Sequence, residues 1–316
     1  MDQKRLFAAI ALSIGILLLF DLWNRPTREA QQEAIRQQQA AQQAQQSQAP
    51  VPLPAAPAGS AAVPSATAAP DAARGPEQRV RIENPRLQGS ISLRGARLDD
   101  LVLKGYHETV DRNSPLVRLL APRGEAQPYF VQWGWTAADG RTAVPTPETD
   151  WTAEGGALAP GQPLTLRWDN GQGQEFRIRF ELDQNYVLTA TQAVRNTGTE
   201  PAQVLPWSRI RRDRTPQVEG FFILHEGFTG VLGGRLHEWT YSDAKEEAVR
   251  RRGPAFEQES TGGWAGLSDK YWLTALTPAD QGTAIRAAYR HIPDAGQDRW
   301  QVDLAAAAAQ TAAPGG

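Results

Sequence analysis

Short runs of alternating apolar and polar residues set the strongest limit on how this chain folds. The runs are RVRIEN (79–84), SISLRGARLDDLVLKGY (90–106), LTLRWDN (164–170), EFRIRFEL (175–182) and YVLTATQAVRNTG (186–198). Clusters of Gly, Pro, Asn and Asp separate them, as turns do. Because successive side chains of a strand point to opposite faces, the alternation predicts half-buried strands. We therefore predict a mostly β, antiparallel domain over residues 79–316, built as a large sandwich.

The beginning of the chain has a different pattern, an uncharged apolar run from Leu6 to Phe20 that reaches Trp23 across Asp21. Roughly 18 helical residues span about 27 Å, close to the hydrocarbon thickness of a bilayer. A cleavable signal peptide is the alternative, but the bulky FDLWNRPTR that follows lacks a small-residue cleavage site. We predict an uncleaved transmembrane anchor over residues 6–23. The residues expected to anchor it in the membrane are Leu6, Ile10, Ile14, Leu17, Phe20 and Trp23.

Residues 24–78 are of low complexity, first rich in Gln and Ala and then in Pro, Ala and Ser. Such a composition buries too little apolar surface to offset the entropy lost on ordering. We predict a flexible tether between the anchor and the β domain.

Composition excludes several classes of function. The chain has no cysteine, so it has no disulfide, no thiolate nucleophile and no cysteine metal site. Its formal net charge is −2, which gives no strong basic field for nucleic acid.

A repeated His-Glu pair, His225-Glu226 and His237-Glu238, is the best candidate for proton-transfer chemistry. The spacing does not match HExxH, and neighbours on a strand point to opposite faces. We predict satisfied or solvent-facing polar residues here, and no catalytic, cofactor-binding or metal-binding residues.

Three further segments have a structural interpretation. The basic cluster RIRRDR (209–214) is predicted to be a solvated loop, with contact to acidic lipid headgroups or a partner as the alternative. The glycines of GFTGVLGGRLHEWTY (227–241) are predicted to form turns, since the lysine of a phosphate loop is missing. SDAKEEAVRR (242–251) fits either a short helix or a charged loop.

The aromatic segment TGGWAGLSDKYWLTALTP (261–278) has two interpretations. The favoured one is a strand-like segment that packs in the core. The other is an exposed apolar groove for a partner or peptide, lined by Trp264, Leu267, Tyr271 and Trp272.

Two parts of the chain resemble one family. The N-terminal MDQKRLFAAIALSIGILLLFDLW is similar to the first transmembrane segment of the YidC-type membrane protein insertases of Gram-negative bacteria, which begins with Met-Asp, a basic pair and an apolar helix ending in Trp. GGWAGLSDKYWLTALTP (262–278) resembles the Gly-Trp … Lys-Tyr-Trp … Pro segment of that family's large periplasmic domain, and GFTGVLGGRLHEWTYSDA (227–244) fits the region before it. The low-complexity tether is also typical, so the resemblance runs from Met1 to Gly316.

The resemblance implies a β-super-sandwich with a mutarotase-like fold. It also implies residues 1–5 in the cytoplasm and the β domain in the periplasm, attached to the bacterial inner membrane. The family inserts nascent inner-membrane proteins into the lipid bilayer and helps them fold, alone or with the Sec translocon and its accessory subunits. It uses no cofactor and catalyses no covalent reaction. A membrane-anchored mutarotase-like or sugar-binding periplasmic domain is the alternative.

The family has a later insertase core of five transmembrane helices, which we expect to lie outside residues 1–316 because no apolar run after Phe20 is long enough to span a membrane. Its last residues, DLAAAAAQTAAPGG (303–316), resemble the Pro-Gly turn that precedes the final strands of the periplasmic domain. We therefore expect an incomplete domain with an unpaired sheet edge after Leu304.

Overall fold

A computed structural model describes residues 77–216, 225–294 and 296–315. The predicted anchor and most of the tether lie outside the described residues. Within the described residues, no helix has both the length and the apolar character needed to cross a membrane. The elements are β1 (Arg79–Glu83), β2 (Leu87–Ser92), β3 (Arg97–His107), β4 (Leu116–Leu120), β5 (Tyr129–Ala137), β6 (Thr152–Glu154), β7 (Leu164–Asp169), β8 (Gln174–Leu182), β9 (Leu188–Asn196), β10 (Ala202–Asp213), β11 (Gly227–Leu232), β12 (Arg235–Thr240), α1 (Tyr241–Arg251), β13 (Phe256–Thr261), β14 (Trp264–Asp269), β15 (Trp272–Leu276), β16 (Ala284–Asp294), β17 (Gln297–Ala306) and β18 (Gln310–Ala312).

The strands form three sheets. The ten-stranded large sheet has the order β1-β2-β3-β5-β10-β17-β16-β13, with β4 paired to β3 and β18 paired to β10. The two four-stranded small sheets have the orders β6-β7-β8-β9 and β12-β11-β14-β15. Every pair of these strands is antiparallel. The predicted mostly β, antiparallel fold is therefore confirmed.

Both small sheets pack against the same face of the large sheet. Trp133 of β5 contacts Phe180 of β8 edge to face, with ring centroids 5.0 Å apart. Phe228 of β11 stacks on Tyr289 of β16, at 4.9 Å. Trp133 and Tyr289 lie on the same face of the large sheet. Trp133 is paired with Ser208, Ser208 with Leu304, and Leu304 with Ala287, which is two residues before Tyr289 on β16. The result is a double sandwich with one continuous apolar core.

The alternation of apolar and polar residues in the sequence matches the alternation of buried and more exposed side chains along the strands. In β8, for example, Phe176, Ile178 and Phe180 are fully buried while the side chains between them are more exposed. The glycine turn predicted in 227–241 is also confirmed, because Gly233 and Gly234 join β11 to β12 with φ of 57° and 73°. Positive φ at both turn positions is what a tight hairpin requires.

The segment that fitted a helix or a loop is the helix α1. Its first turn is capped by Thr240, whose hydroxyl accepts a hydrogen bond from the backbone N–H of Asp243 at 3.1 Å. Arg252 ends the helix in the left-handed conformation. Ala244 and Ala248 form its buried face, while the charged side chains point to solvent.

Two expectations are wrong. RIRRDR is not a solvated loop, since it ends β10 in the middle of the large sheet. Leu304 does not precede an unpaired edge, because β17 is paired with β16 on one side and with β10 on the other. Among the described strands, the edges of the large sheet's main path are β1 and β13.

A candidate apolar cleft between the sheets

A cavity of roughly 400 Å³ opens where the two small sheets meet the large one. Three parts of the fold form its walls: one face of the large sheet, the end of the β8–β9 hairpin, and β15. The lining residues are Ile82, Leu87, Leu98, Leu101, Leu103, Tyr106, Leu119, Leu120, Val131, Trp133, Leu182, Tyr186, Leu188, Trp272, Leu273, Thr274, Ala275 and Leu276.

The side chains that line this apolar cleft are mostly aliphatic or aromatic. Among the described residues that line it, none is Asp, Glu, His, Lys or Arg. Its volume falls within the roughly 300–1,000 Å³ typical of ligand sites. Such a lining favours an apolar guest and offers no side chain suited to acid–base chemistry near neutral pH.

The aromatic segment forms the β14–β15 hairpin, which is partly core and partly cleft. Leu267 of β14 is buried in the core, and Trp264 is half-buried at the start of that strand. Tyr271 lies at the turn with φ of 77° and is 75% exposed. Trp272 is half-buried and lines the cleft. Of the four residues predicted to line a groove, the structure brings only Trp272 to the cleft.

Trp272 is held at the mouth of the cleft by an aromatic contact. Its ring meets Tyr106 of β3 edge to face, with centroids 4.9 Å apart and planes at 75°. Such pairs contribute about 0.5–1.5 kcal/mol beyond their buried area. The contact connects β15 to the large sheet at one end of the cleft.

The mouth of the cleft near Tyr106 is both aromatic and basic. Tyr106 and Tyr186 are partly exposed there, and both also line a shallow neighbouring cavity with Arg86 and Lys104. The guanidinium of Arg86 lies 5.6 Å from the ring centroid of Tyr186. The ammonium of Lys104 donates a hydrogen bond to the carbonyl oxygen of Asn84 at 3.1 Å.

The histidine pairs lie outside the cleft. The Nε2 atom of His225 is 2.8 Å from the carbonyl oxygen of Phe228. His237 packs its ring on Phe256, with centroids 4.6 Å apart, and its Nε2 is 3.4 Å from the carbonyl oxygen of Leu232. Across the described part of the chain, no three His, Asp and Glu side chains come close enough together to hold a metal ion.

A second polar feature, which the sequence analysis missed, is a set of buried charges on the opposite face of the large sheet. Arg209 of β10 is buried beside Asp303 of β17, with Nε–Oδ1 of 3.2 Å, and its guanidinium lies 4.4 Å from the ring centroid of Trp207. Burial lowers the pKa of the neighbouring Arg211, and its ion pair with Asp213 opposes that shift. The period-two spacing of Trp207, Arg209 and Arg211 was the sequence signal for a strand here.

The fold and the cleft define a large antiparallel β-sandwich domain with a ligand-sized apolar site. A family model described as the YidC periplasmic domain matches residues 79–316. The chain belongs to the YidC family of membrane protein insertases.

Named relatives agree with this assignment. The membrane protein insertase YidC of Granulibacter bethesdensis is 44% identical over 308 residues, which cover 96% of this chain and 51% of the relative. The YidC insertase of Acidiphilium cryptum is 48% identical over 75% of this chain and 41% of its own. That of Paracoccus denitrificans is 38% identical over 99% and 53%. The chain thus spans about half the length of the curated relatives it matches.

Among solved structures, a galactose mutarotase-like protein from Lactobacillus casei is similar with a TM-score of 0.44 and 10% identity. The match covers 76% of this chain and 96% of that protein.

Proposed function

We propose that this chain is the N-terminal part of an inner-membrane protein insertase and chaperone, anchored by residues 6–23 with its β domain in the periplasm. Family membership and the relatives' shared name support this role. The partners are the lipid bilayer, nascent inner-membrane proteins and the Sec translocon with its accessory subunits. The role is noncatalytic and needs no cofactor.

The observation that carries a role for the β domain is the apolar cleft. Apolar segments of a nascent membrane protein need shelter from water, and the cleft offers a hydrocarbon lining with a partly exposed aromatic mouth. A sugar would place most of its hydroxyl groups against aliphatic side chains, which disfavours the sugar-binding alternative.

A charge placed in the cleft is expected to weaken binding of an apolar peptide. Leu273 borders the cleft and is 48% exposed, so Leu273→Lys is expected to leave the fold intact while placing an ammonium group at the rim of the cleft. We expect at least a tenfold rise in Kd, corresponding to about 1.4 kcal/mol or more. The measurement is fluorescence titration of the chain in proteoliposomes with a dye-labelled apolar peptide.

Val249→Lys is the matched control, because Val249 is an aliphatic residue on α1 that is 69% exposed and does not line the cleft. It should bind the peptide as the unchanged chain does. Equal Kd values for both variants, or no binding by the unchanged chain, would refute the proposed role of the cleft.

The proposed topology predicts the labelling of single cysteines. Because the chain has no cysteine, Ser60→Cys and Gln3→Cys each introduce one thiol. In spheroplasts, an impermeant maleimide should label the cysteine at position 60 and should label the cysteine at position 3 only after lysis. Labelling in the reverse order would overturn the orientation, and a mature N-terminus beyond Trp23 would overturn the anchor.

A further inference from the structure

Strand β15 is an open edge. It pairs with β14 from Ala265↔Leu276 to Asp269↔Trp272, and no other described strand pairs with it. In an antiparallel pair, alternate residues direct their N–H and C=O groups to the neighbouring strand and the others direct them away. Within the described residues, no backbone hydrogen bond reaches the outward side of β15. The edge therefore has free donors and acceptors.

The apolar cleft runs along this edge. All five consecutive residues of β15 line it, from Trp272 to Leu276. Since successive side chains lie on opposite faces of a strand, a cavity over one face would touch alternate residues only. Strand β5 in the middle of the large sheet shows that second pattern, because it contributes Val131 and Trp133 but not the residue between them, whereas β4, which lies off the main path of that sheet, contributes the adjacent residues Leu119 and Leu120. The cleft thus borders the face of the large sheet and the backbone edge of β15.

We infer that the cleft binds its guest by strand addition: an extended segment of a partner protein pairs with the open edge of β15. This inference rests on the proposed function of the cleft and specifies the conformation of the guest. Main-chain hydrogen bonds to β15 supply affinity, and alternate side chains of the guest enter the apolar cleft. Five paired residues give an added strand of about 17 Å.

The charges at the mouth specify one end of the guest. The described strands of the three sheets pair antiparallel, as β15 does with β14, and a guest that pairs with β15 in the same way places its C-terminal end beside Trp272. That end of β15 contacts Tyr106, next to Lys104 and Arg86. Among the described residues, the contacts of these cations are with the Tyr186 ring for Arg86 and with the carbonyl oxygen of Asn84 for Lys104, and neither contact is with a carboxylate. The guest is therefore an extended segment with apolar residues at alternate positions and an acidic residue at its C-terminal end.

N-methylated peptides test strand addition without changing the protein. Three seven-residue peptides share the sequence Val-Thr-Val-Thr-Val-Thr-Glu: one is unmodified, one is N-methylated at two odd positions, and one at two even positions. An added strand uses only alternate N–H groups, so one methylated peptide should bind the chain in proteoliposomes at least tenfold more weakly and the other within about twofold. Equal affinities of the two methylated peptides would overturn strand addition while leaving the cleft as a binding site. No binding of the unmodified peptide would overturn the proposed function of the cleft as well.

Disulfide trapping tests the register. Ala275 is small, exposed and on β15, and the chain has no other thiol, so Ala275→Cys provides one reporter at the edge. Peptides carrying cysteine at successive positions should cross-link with a period of two residues, because only side chains on the same face approach closely. Val249→Cys on α1 is the control and should show no such period. Cross-linking without periodicity would refute pairing in register, and a disulfide-linked dimer formed without peptide would make a second copy of the chain the occupant instead.

The basic residues at the mouth of the cleft are tested by comparing the affinities of two peptides. Moving the glutamate of the peptide to its N-terminal end should weaken binding severalfold, and Arg86→Gln combined with Lys104→Gln should remove the difference. Both side chains are exposed, so these substitutions are expected to leave the fold unchanged. Equal binding of the two peptides by the unchanged chain would refute the antiparallel orientation.

Discussion

Replacement of Asp303 by alanine is expected to lower the free energy of unfolding by about 3–5 kcal/mol, the usual cost of removing one partner from a buried ion pair. Asp303 is 2% exposed. Its carboxylate accepts hydrogen bonds from Arg209 at 3.2 Å, Arg290 at 2.8 Å and Gln301 at 2.9 Å. Without it, the buried guanidinium of Arg209 loses the carboxylate that balances its charge. Urea unfolding followed by tryptophan fluorescence measures the change.

The control for this prediction is an ion pair of the same type on the surface. Glu259 pairs with Arg286 at 2.6 Å, but its side chain is largely exposed. Glu259→Ala should therefore change the free energy of unfolding by no more than about 1 kcal/mol. If the two variants unfold at the same urea concentration, the buried ion pair of Asp303 stabilises the domain no more than the surface ion pair of Glu259 does.

Replacement of Trp135 by alanine is expected to cost about 3–5 kcal/mol, as large-to-small aromatic substitutions in a core do. Trp135 is 1% exposed and lies between the large sheet and the small sheet β6-β7-β8-β9. Its ring packs edge to face on Phe176 at 5.1 Å and stacks on Trp151 at 6.2 Å. The same urea titration measures the loss, which should appear as a lower midpoint.

Trp272→Ala is the matched comparison, since Trp272 is an equally large side chain that borders the open cleft. It should destabilise the domain less than Trp135→Ala does and should weaken peptide binding more. If Trp272→Ala proves the more destabilising of the two, Trp272 acts mainly as a core residue.

The class of fold could be predicted because its signal is local. The run 175–182 has the two-residue period of a strand, and this period does not depend on its tertiary neighbours. The backbone geometry of a strand directs successive side chains to opposite faces. The pair Gly233-Gly234 likewise predicts a turn because few other residues adopt positive φ at two successive positions. The motifs in 1–23 and 262–278 resembled the YidC family, and the family model confirms that membership.

The environment of the arginines in β10 could not be predicted from their own segment. Residues 209–214 contain four arginines but only one carboxylate, that of Asp213. Within the segment most of these charges lack a partner, which favours a solvated loop. The structure pairs Arg209 with Asp303, a residue far along the chain that becomes a neighbour only when β17 pairs with β10. Burial of the charge depends on that pairing.

By itself, the sequence determined the strands with a regular alternation, the turn at Gly233-Gly234 and the family that the chain resembles. It did not determine which side of the β14–β15 hairpin packs in the core and which side meets the cleft. The lining of the cleft joins residues from Ile82 to Leu276, which come together only when both small sheets dock on the large one. Only the tertiary structure decided this, because periodicity sets the faces of each strand, whereas the neighbours of a face and of an edge depend on contacts between distant parts of the chain.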